Sequence, residues 1–267
     1  QCNEKECRKQ FTVTVGTVMA SSHITLRQWV QAFYSMCAHK KGVSALQLQR
    51  NLGLKSYKSA WHLAHRIRLA MKEEPLASLL SGAVEADETY IGGKPIRGER
   101  DARGKLIHHK RGPGTSKTPV IALIERDGRA RTAVPQKVNA TNVYPFMRQN
   151  ISKGARLMTD ENNVYTVIGR EFLTHETVIH SCREYARGDV HVNNNESFFA
   201  LLKRGVHGTF HHVSKKHLQR YCDEFSFRWN QRKVSDGERT IAAIKGMDGK
   251  RLMYRTPASR PNASSAS

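Results

Sequence analysis

The chain has 267 residues, 39% of them hydrophobic, and its 44 Lys and Arg against 23 Asp and Glu give a net charge of +21. That length supplies one large domain with a smaller one attached; no apolar run approaches a membrane span and no signal-peptide pattern is present, which argues against a membrane protein and for a cytoplasmic one. The charge runs from Lys5 to Arg260 rather than gathering in a tail, and a basic body of this kind disfavours compactness unless an anion compensates it, so the expected partner is nucleic acid.

The chain starts at Gln1, as expected of a fragment or a processed protein. Five cysteines, at 2, 7, 37, 182 and 222, are odd in number and mostly scattered, against a disulfide framework. Cys2 and Cys7 differ from the rest. C-x4-C followed by RKQFTVTVGT reads as the second half of a zinc ribbon, with Phe11, Val13 and Val15 alternating along a short strand. Tetrahedral zinc needs four ligands, so Cys2 and Cys7 would hold zinc only in a longer chain that supplies the other pair upstream of Gln1.

Residues 23–74 read as helical. LRQWVQAFYSMCAHK spaces Leu26, Trp29, Val30, Phe33 and Met36 or Cys37 at helical intervals. Ser44 then caps a short helix, LGL turns around Gly53, and a longer helix runs from about Ser56 to Met71. This is the pattern of a helix-turn-helix. Lys55, Lys58, His62, His65, Arg66 and Arg68 on its second helix suit phosphate contact or groove reading.

After KEEPLASLLSG, AVEADETYIGGK (83–94) alternates as a strand. The Gly- and Arg-rich stretch 95–118, which includes Lys110 and Arg111, reads as a long mobile loop on the DNA side. PVIALIERDGRARTAVPQKV predicts two strands around Asp127-Gly128. A helix over 139–151, capped by Asn139 or Thr141, precedes strands ending at Asp160 and near Ser181. Two long helices follow, the second over 214–233, and the end RTPASRPNASSAS is low in complexity and reads as disordered. The order of elements is that of a mixed α/β layer architecture.

Three acids sit where such a fold collects ligand sites: Asp87 in the first strand, Asp160 at a strand end and Glu196 at the head of a helix. Converging carboxylates repel unless a cation joins them, and Mg²⁺ takes a few carboxylates with waters and phosphate oxygens. Each also has a plainer use. Asp87 could be a surface strand end, Asp160 the N-cap of a following helix, and Glu196 the N3 partner of an Asn193 cap. In HVNNNESFFALLKRGVHG the wheel sets Phe198, Leu201 and Leu202 on one side and Glu196, Ala200 and Lys203 on the other. Among the flanking acids, Glu85, Glu88 and Glu161, Glu85 shares a strand face with Asp87 and is the closest competitor; His191 and Asn193 are candidates for ordering the site.

VEADETYIGGK, LMTDENNVY and HVNNNESFFALLKRGVHGTFHHVSKKHLQRYCDEFSFRWNQR resemble the catalytic blocks of bacterial insertion-sequence DDE transposases, of the ISXO2-like group with a zinc ribbon, a helix-turn-helix region and an RNase H-like catalytic domain. The likeness spans about residues 2–233. It implies a truncated zinc-ribbon half over 1–20, a helical DNA-binding region over 21–78, an RNase H-like mixed-sheet domain over 79–235 and a C-terminal extension with a disordered tail over 236–267. It implies that Asp87, Asp160 and Glu196 form the triad holding Mg²⁺ or Mn²⁺ as two ions, with Lys203 as the basic residue on the same helix and Arg204 beside it on DNA. The implied partners are the element's terminal inverted repeats, target DNA and further copies of the chain in a synaptic complex. A DNA-binding regulator that kept the fold and lost catalysis is the alternative, against which the intact triad and Lys203 speak.

Salt should weaken DNA binding steeply, because counterions leave the duplex as cationic residues dock. Replacement of Lys58 or Arg66 is expected to weaken it further. A nearly flat plot of log affinity against log salt would reduce the charge to a solubility feature.

Overall fold

Hydroxyl caps start all three N-terminal helices of the computed structural model, which describes residues 2–7, 12–73, 78–93, 100, 102–106, 115–182, 184 and 186–254. Thr25 and Gln28 form a reciprocal capping box at α1 (Leu26–Ala38). Ser44 caps α2 (Ala45–Leu52), Gly53 closes it at φ 63°, and Ser56 caps α3 (Tyr57–Met71). Gly53 takes the left-handed conformation that ends a helix without a Cβ penalty. Trp29, Phe33, Met36, Leu48, Leu63 and Ile67 make the core of this region, while Leu26 and Val30, expected on the same stripe, stay half exposed.

The second core surrounds five strands: β1 (Ala83–Ile91), β2 (Thr118–Glu125), β3 (Ala130–Ala133), β4 (Arg156–Thr159) and β5 (Thr174–Thr177), in the order β3-β2-β1-β4-β5. β1, β2 and β3 pair antiparallel, with Asp127 at φ 56° in the turn, whereas β1, β4 and β5 pair in parallel. One face of the sheet (Val84, Ala86, Ile121, Leu123, Leu157) packs on Val143 and Met147 of α4 (Ala140–Asn150) and on Tyr165 of α5 (Asn163–Gly169). The other (Val120, Ala122, Ile124) packs on Phe198 and Leu202 of α6 (Asn193–Gly205) and on Leu218 and Phe225 of α7 (Lys215–Asn230). A short hairpin, β6 (Ala186–Arg187) and β7 (Val190–His191), leads into α6. This mixed α/β sheet, covered by helices on both faces, meets the expected fold class.

The two cores interlock. Phe227 of α7 and Ala243 of α8 (Asp236–Lys245) lie in the N-terminal core, so the C-terminal extension begins as packed helix. Arg68 on α3 donates from Nε to Glu224 Oε2 on α7 at 2.6 Å, and Arg228 pairs with the same carboxylate. Burial alone would raise the Glu224 carboxyl, yet the two guanidinium groups outweigh it and hold the group below its ordinary value.

This interlock corrects two expectations. Arg68 is 2% exposed, with its guanidinium 3.9 Å from the Tyr221 ring centroid, and Arg66 is 6% exposed, donating to the Ala20 carbonyl and lying over Trp29. Neither faces a DNA groove, because α3 is buried on nearly all sides from Leu63 onward, His65 included. Lys55 and Lys58, in the turn and first turn of α3, remain exposed. Described residues 12–20 do not continue the strand expected after Cys7: they form turns with one bridge, Thr17 to Asp248, and Val13 and Val15 stand 68% and 58% exposed. Alternating valines gain burial only when a second layer covers them, and none does among the described residues. Phe11, Lys110, Arg111 and the tail 255–267 lie outside the described residues.

Glu224→Gln should destabilise the fold by about 3–5 kcal/mol, because it leaves two buried guanidinium groups without a counter-charge. The shift of a urea midpoint measures this. A loss within the noise of the measurement would mean that the triad is replaceable by neutral hydrogen bonds.

Candidate carboxylate site

Strand register brings the first two acids together. Parallel pairing of β1 with β4 sets Ala86 level with Thr159, so Asp87 and Asp160, one residue further along each chain, emerge side by side. Ligand oxygens of Asp87, Glu88 and Asp160 lie within 4.8 Å of one another. Asp87 Oδ1 accepts the Glu88 N–H at 2.7 Å, and Asp160 Oδ1 accepts the Asn162 N–H at 3.1 Å. The cap of α5 is Asn162, so Asp160 is not a helix cap.

Glu88, a flanking acid in the sequence, joins the cluster. Alternation sends it toward the face opposite Asp87, where Asn162 Nδ2 and the Tyr165 hydroxyl donate to its two oxygens at 2.7 and 2.8 Å. Asp160 stands just past the end of β4, and the tether leaves the Glu88 carboxylate beside it and Asp87. Burial first, and then Asp160, raise the Glu88 carboxyl above its usual range, against the lowering effect of those two donors. The adjacent Asp-Glu pair was the only signal in the sequence, and it did not say that both would reach one place.

Glu85 is not the competitor that strand parity suggested. Its carboxylate is engaged by Arg126 Nε at 3.0 Å and by Asn194 on α6. Glu161 is exposed and accepts from Ser181 instead.

Glu196 is exposed on α6, outside the 4.8 Å group but near enough for its charge to act on Asp87. The capping box is absent: Asn193 is the first helical residue, the cap position is Val192, and its side chain makes no cap bond. The expected wheel holds with Phe198 and Leu202 buried, Leu201 half-buried, and Glu196, Ala200 and Lys203 exposed; Arg204 is exposed too. Cys2 and Cys7 are both free thiols, distant from this chemistry in sequence.

The donor set is all carboxylate oxygen, which suits a hard divalent cation. Burial, then the like charges of Asp160, Glu88 and Glu196, push the Asp87 carboxyl from 3.8 up to about 8. Acids so crowded are stabilised by a cation among them. In a chain of net charge +21 this is a local reversal of sign.

A family model described as the ISXO2-like transposase domain matches residues 79–230. The chain therefore belongs to the ISXO2-like transposases. Among curated proteins it is 30% identical over 231 residues to an uncharacterised protein in transposable element ISH50 of Halobacterium salinarum, covering 84% of this chain and 76% of the relative. Looser likenesses reach a simian T-cell lymphotropic virus intasome in complex with PP2A regulatory subunit B56 gamma (10% identity, TM-score 0.33, 76% of this chain and 75% of that one). They also reach the Mos1 strand transfer complex (15% identity, TM-score 0.31, 81% and 74%). At those scores they add nothing to the argument. Among the described residues no helix is long and apolar enough to cross a membrane.

A raised Asp87 pKa stabilises the ion-free fold fully below about 4, and that contribution is lost as pH rises through about 8. Asp87→Asn should therefore raise the melting temperature of the ion-free protein at pH 8 and change it little at pH 5. Mg²⁺ should raise the melting temperature of the wild type at pH 8 more than that of the variant. Equal melting of the two proteins at pH 8 without ions would show that Asp87 is not under like-charge strain.

Proposed function

We propose that the chain binds the ends of its element and catalyses divalent-metal-dependent DNA strand cleavage and strand transfer. The observation that carries this reading is the level placement of Asp87 and Asp160 on paired parallel strands, with a third carboxylate beside them and Glu196 on the facing helix. Asp87, Asp160 and Glu196 are the residues that would hold Mg²⁺ or Mn²⁺, as two ions. Bound there, such ions activate a water or a 3′-hydroxyl and stabilise the leaving oxygen of a phosphodiester.

The chain's own residues do the rest. The Glu88 amide and the Asn162 amide orient Asp87 and Asp160 before substrate arrives. Lys203 stands two turns beyond Glu196 on the exposed side of α6, with Arg204 next to it, where both meet the phosphate backbone of a strand lying over the site. Lys55 and Lys58 offer further phosphate contacts at the start of α3. The partners in this reading are terminal repeats, target DNA and other copies of the chain in a synaptic complex.

Glu196→Gln separates structure from chemistry. Glu196 makes no cap, and its exposed side chain adds nothing to the core, so the variant should melt within about 1 kcal/mol of wild type. It should bind DNA and lose strand cleavage and joining, since a neutral amide is a poor partner for Mg²⁺. A variant joining strands at near wild-type rate, or a wild type joining undiminished in excess EDTA, would sink the metal mechanism.

A further inference from the structure

Asp87 and Asp160 owe their spacing to the sheet, but Glu196 rides on α6, and no strand pairing sets where that helix stands. Its first turn is held by Glu85. This residue lies on β1 two positions before Asp87, on the same face, and is 0% exposed. Its Oε2 accepts the Asn194 backbone N–H at 2.9 Å, and its Oε1 accepts Asn194 Nδ2 at 2.8 Å. Arg126 Nε donates to Oε1 at 3.0 Å, and His191 Nδ1 stands 3.2 Å from the same oxygen. Since α6 has no side-chain cap of its own, a carboxylate from the sheet takes the capping place. A negative group there satisfies an N–H that the helix leaves open and complements the positive end of its dipole.

We infer that Glu85 is the positioning residue of the carboxylate site: it sets the axial place and rotation of α6 so that Glu196 is presented to Asp87 and Asp160. The inference rests on the catalytic reading above. Glu85 is no ligand itself, because both its oxygens already accept from protein donors. Glu196 follows Asn194 by two residues within one rigid turn, so any slip of that turn displaces its carboxylate equally. A single strand thus carries Asp87 and Glu88 of the cluster and also the anchor of Glu196. Arg126 holds the anchor in turn: its Nη2 also reaches Met158 Sδ on β4 at 2.9 Å and the His191 carbonyl at 3.4 Å.

The test uses the whole chain in three forms: wild type, Glu85→Gln and the exchange Glu85→Gln with Asn194→Asp. The readouts are Mn²⁺ titration followed by the melting shift of DNA-free protein, and strand joining at varied Mn²⁺. Glu85→Gln should keep DNA binding and raise the half-saturating Mn²⁺ concentration roughly 10- to 100-fold, the range for residues that orient ligands. The exchange rebuilds the side-chain amide–carboxylate pair but not the acceptance from Arg126, so it should recover only part of that loss. A Glu85→Gln protein that melts lower yet titrates with Mn²⁺ like the wild type would overturn the inference, leaving Glu85 as a helix cap alone. Should Glu85→Gln fail to fold, Asn194→Ala removes only the side-chain bond. A smaller shift of the midpoint in the same direction then supports the inference, and an unmoved midpoint overturns it. A wild type without ion-dependent joining, whose Mn²⁺ midpoint still depends on Glu85, would retain the positioning role and remove the catalytic reading.

Discussion

Because β1 and β4 run in parallel with Ala86 level with Thr159, two carboxylates that lie far apart in the chain leave the sheet at the same height. The other acids gather around that pair, Glu88 from β1 and Glu196 from α6. Backbone hydrogen bonds between strands are short and numerous, so the spacing of Asp87 and Asp160 costs no side-chain ordering of its own. The cost is electrostatic. Burial first, and then the like charges of Asp160, Glu88 and Glu196, raise the carboxyl of Asp87, a penalty that a cation among the acids would relieve.

The acids around this centre are divided by the face each strand position takes. Asp87 and Glu85 share one face, and Glu88 belongs to the other, where Tyr165 and Asn162 tether it. Glu85 is drawn into hydrogen bonds with α6 and Arg126. Neighbouring residues of one chemical type therefore have separate tasks: one is open to a ligand, one is tied beside it, and one holds a helix.

The helical region is not an appendage to this centre. Arg68, Glu224 and Arg228 form a buried triad between α3 and α7, and α8 returns to close the N-terminal core. α7 also packs on the sheet face that carries α6. α3 is thus joined to the elements around the carboxylate site by packed side chains.

Much was determined by the sequence alone. The Ser44 cap, Gly53 and the apolar spacing were enough to find α1 to α3; alternation and Asp127-Gly128 found β1 to β3; and the acid-bearing blocks carried the family resemblance. These are local signals, written within a few residues of the feature they specify. Tertiary structure decided what such signals cannot encode. Arg66 and Arg68 looked like groove readers because charge on a helix says nothing of what packs against it, and here α1 and α7 cover them. The plainer alternative for Glu196, an N3 partner of an Asn193 cap, is a local pattern, and the box does not form. The acceptor that holds α6 is instead Glu85, 109 residues from Asn194 in sequence, and only the folded sheet brings it there. Side-chain type and period are properties of a segment; the partner that satisfies a buried charge is a property of the whole chain.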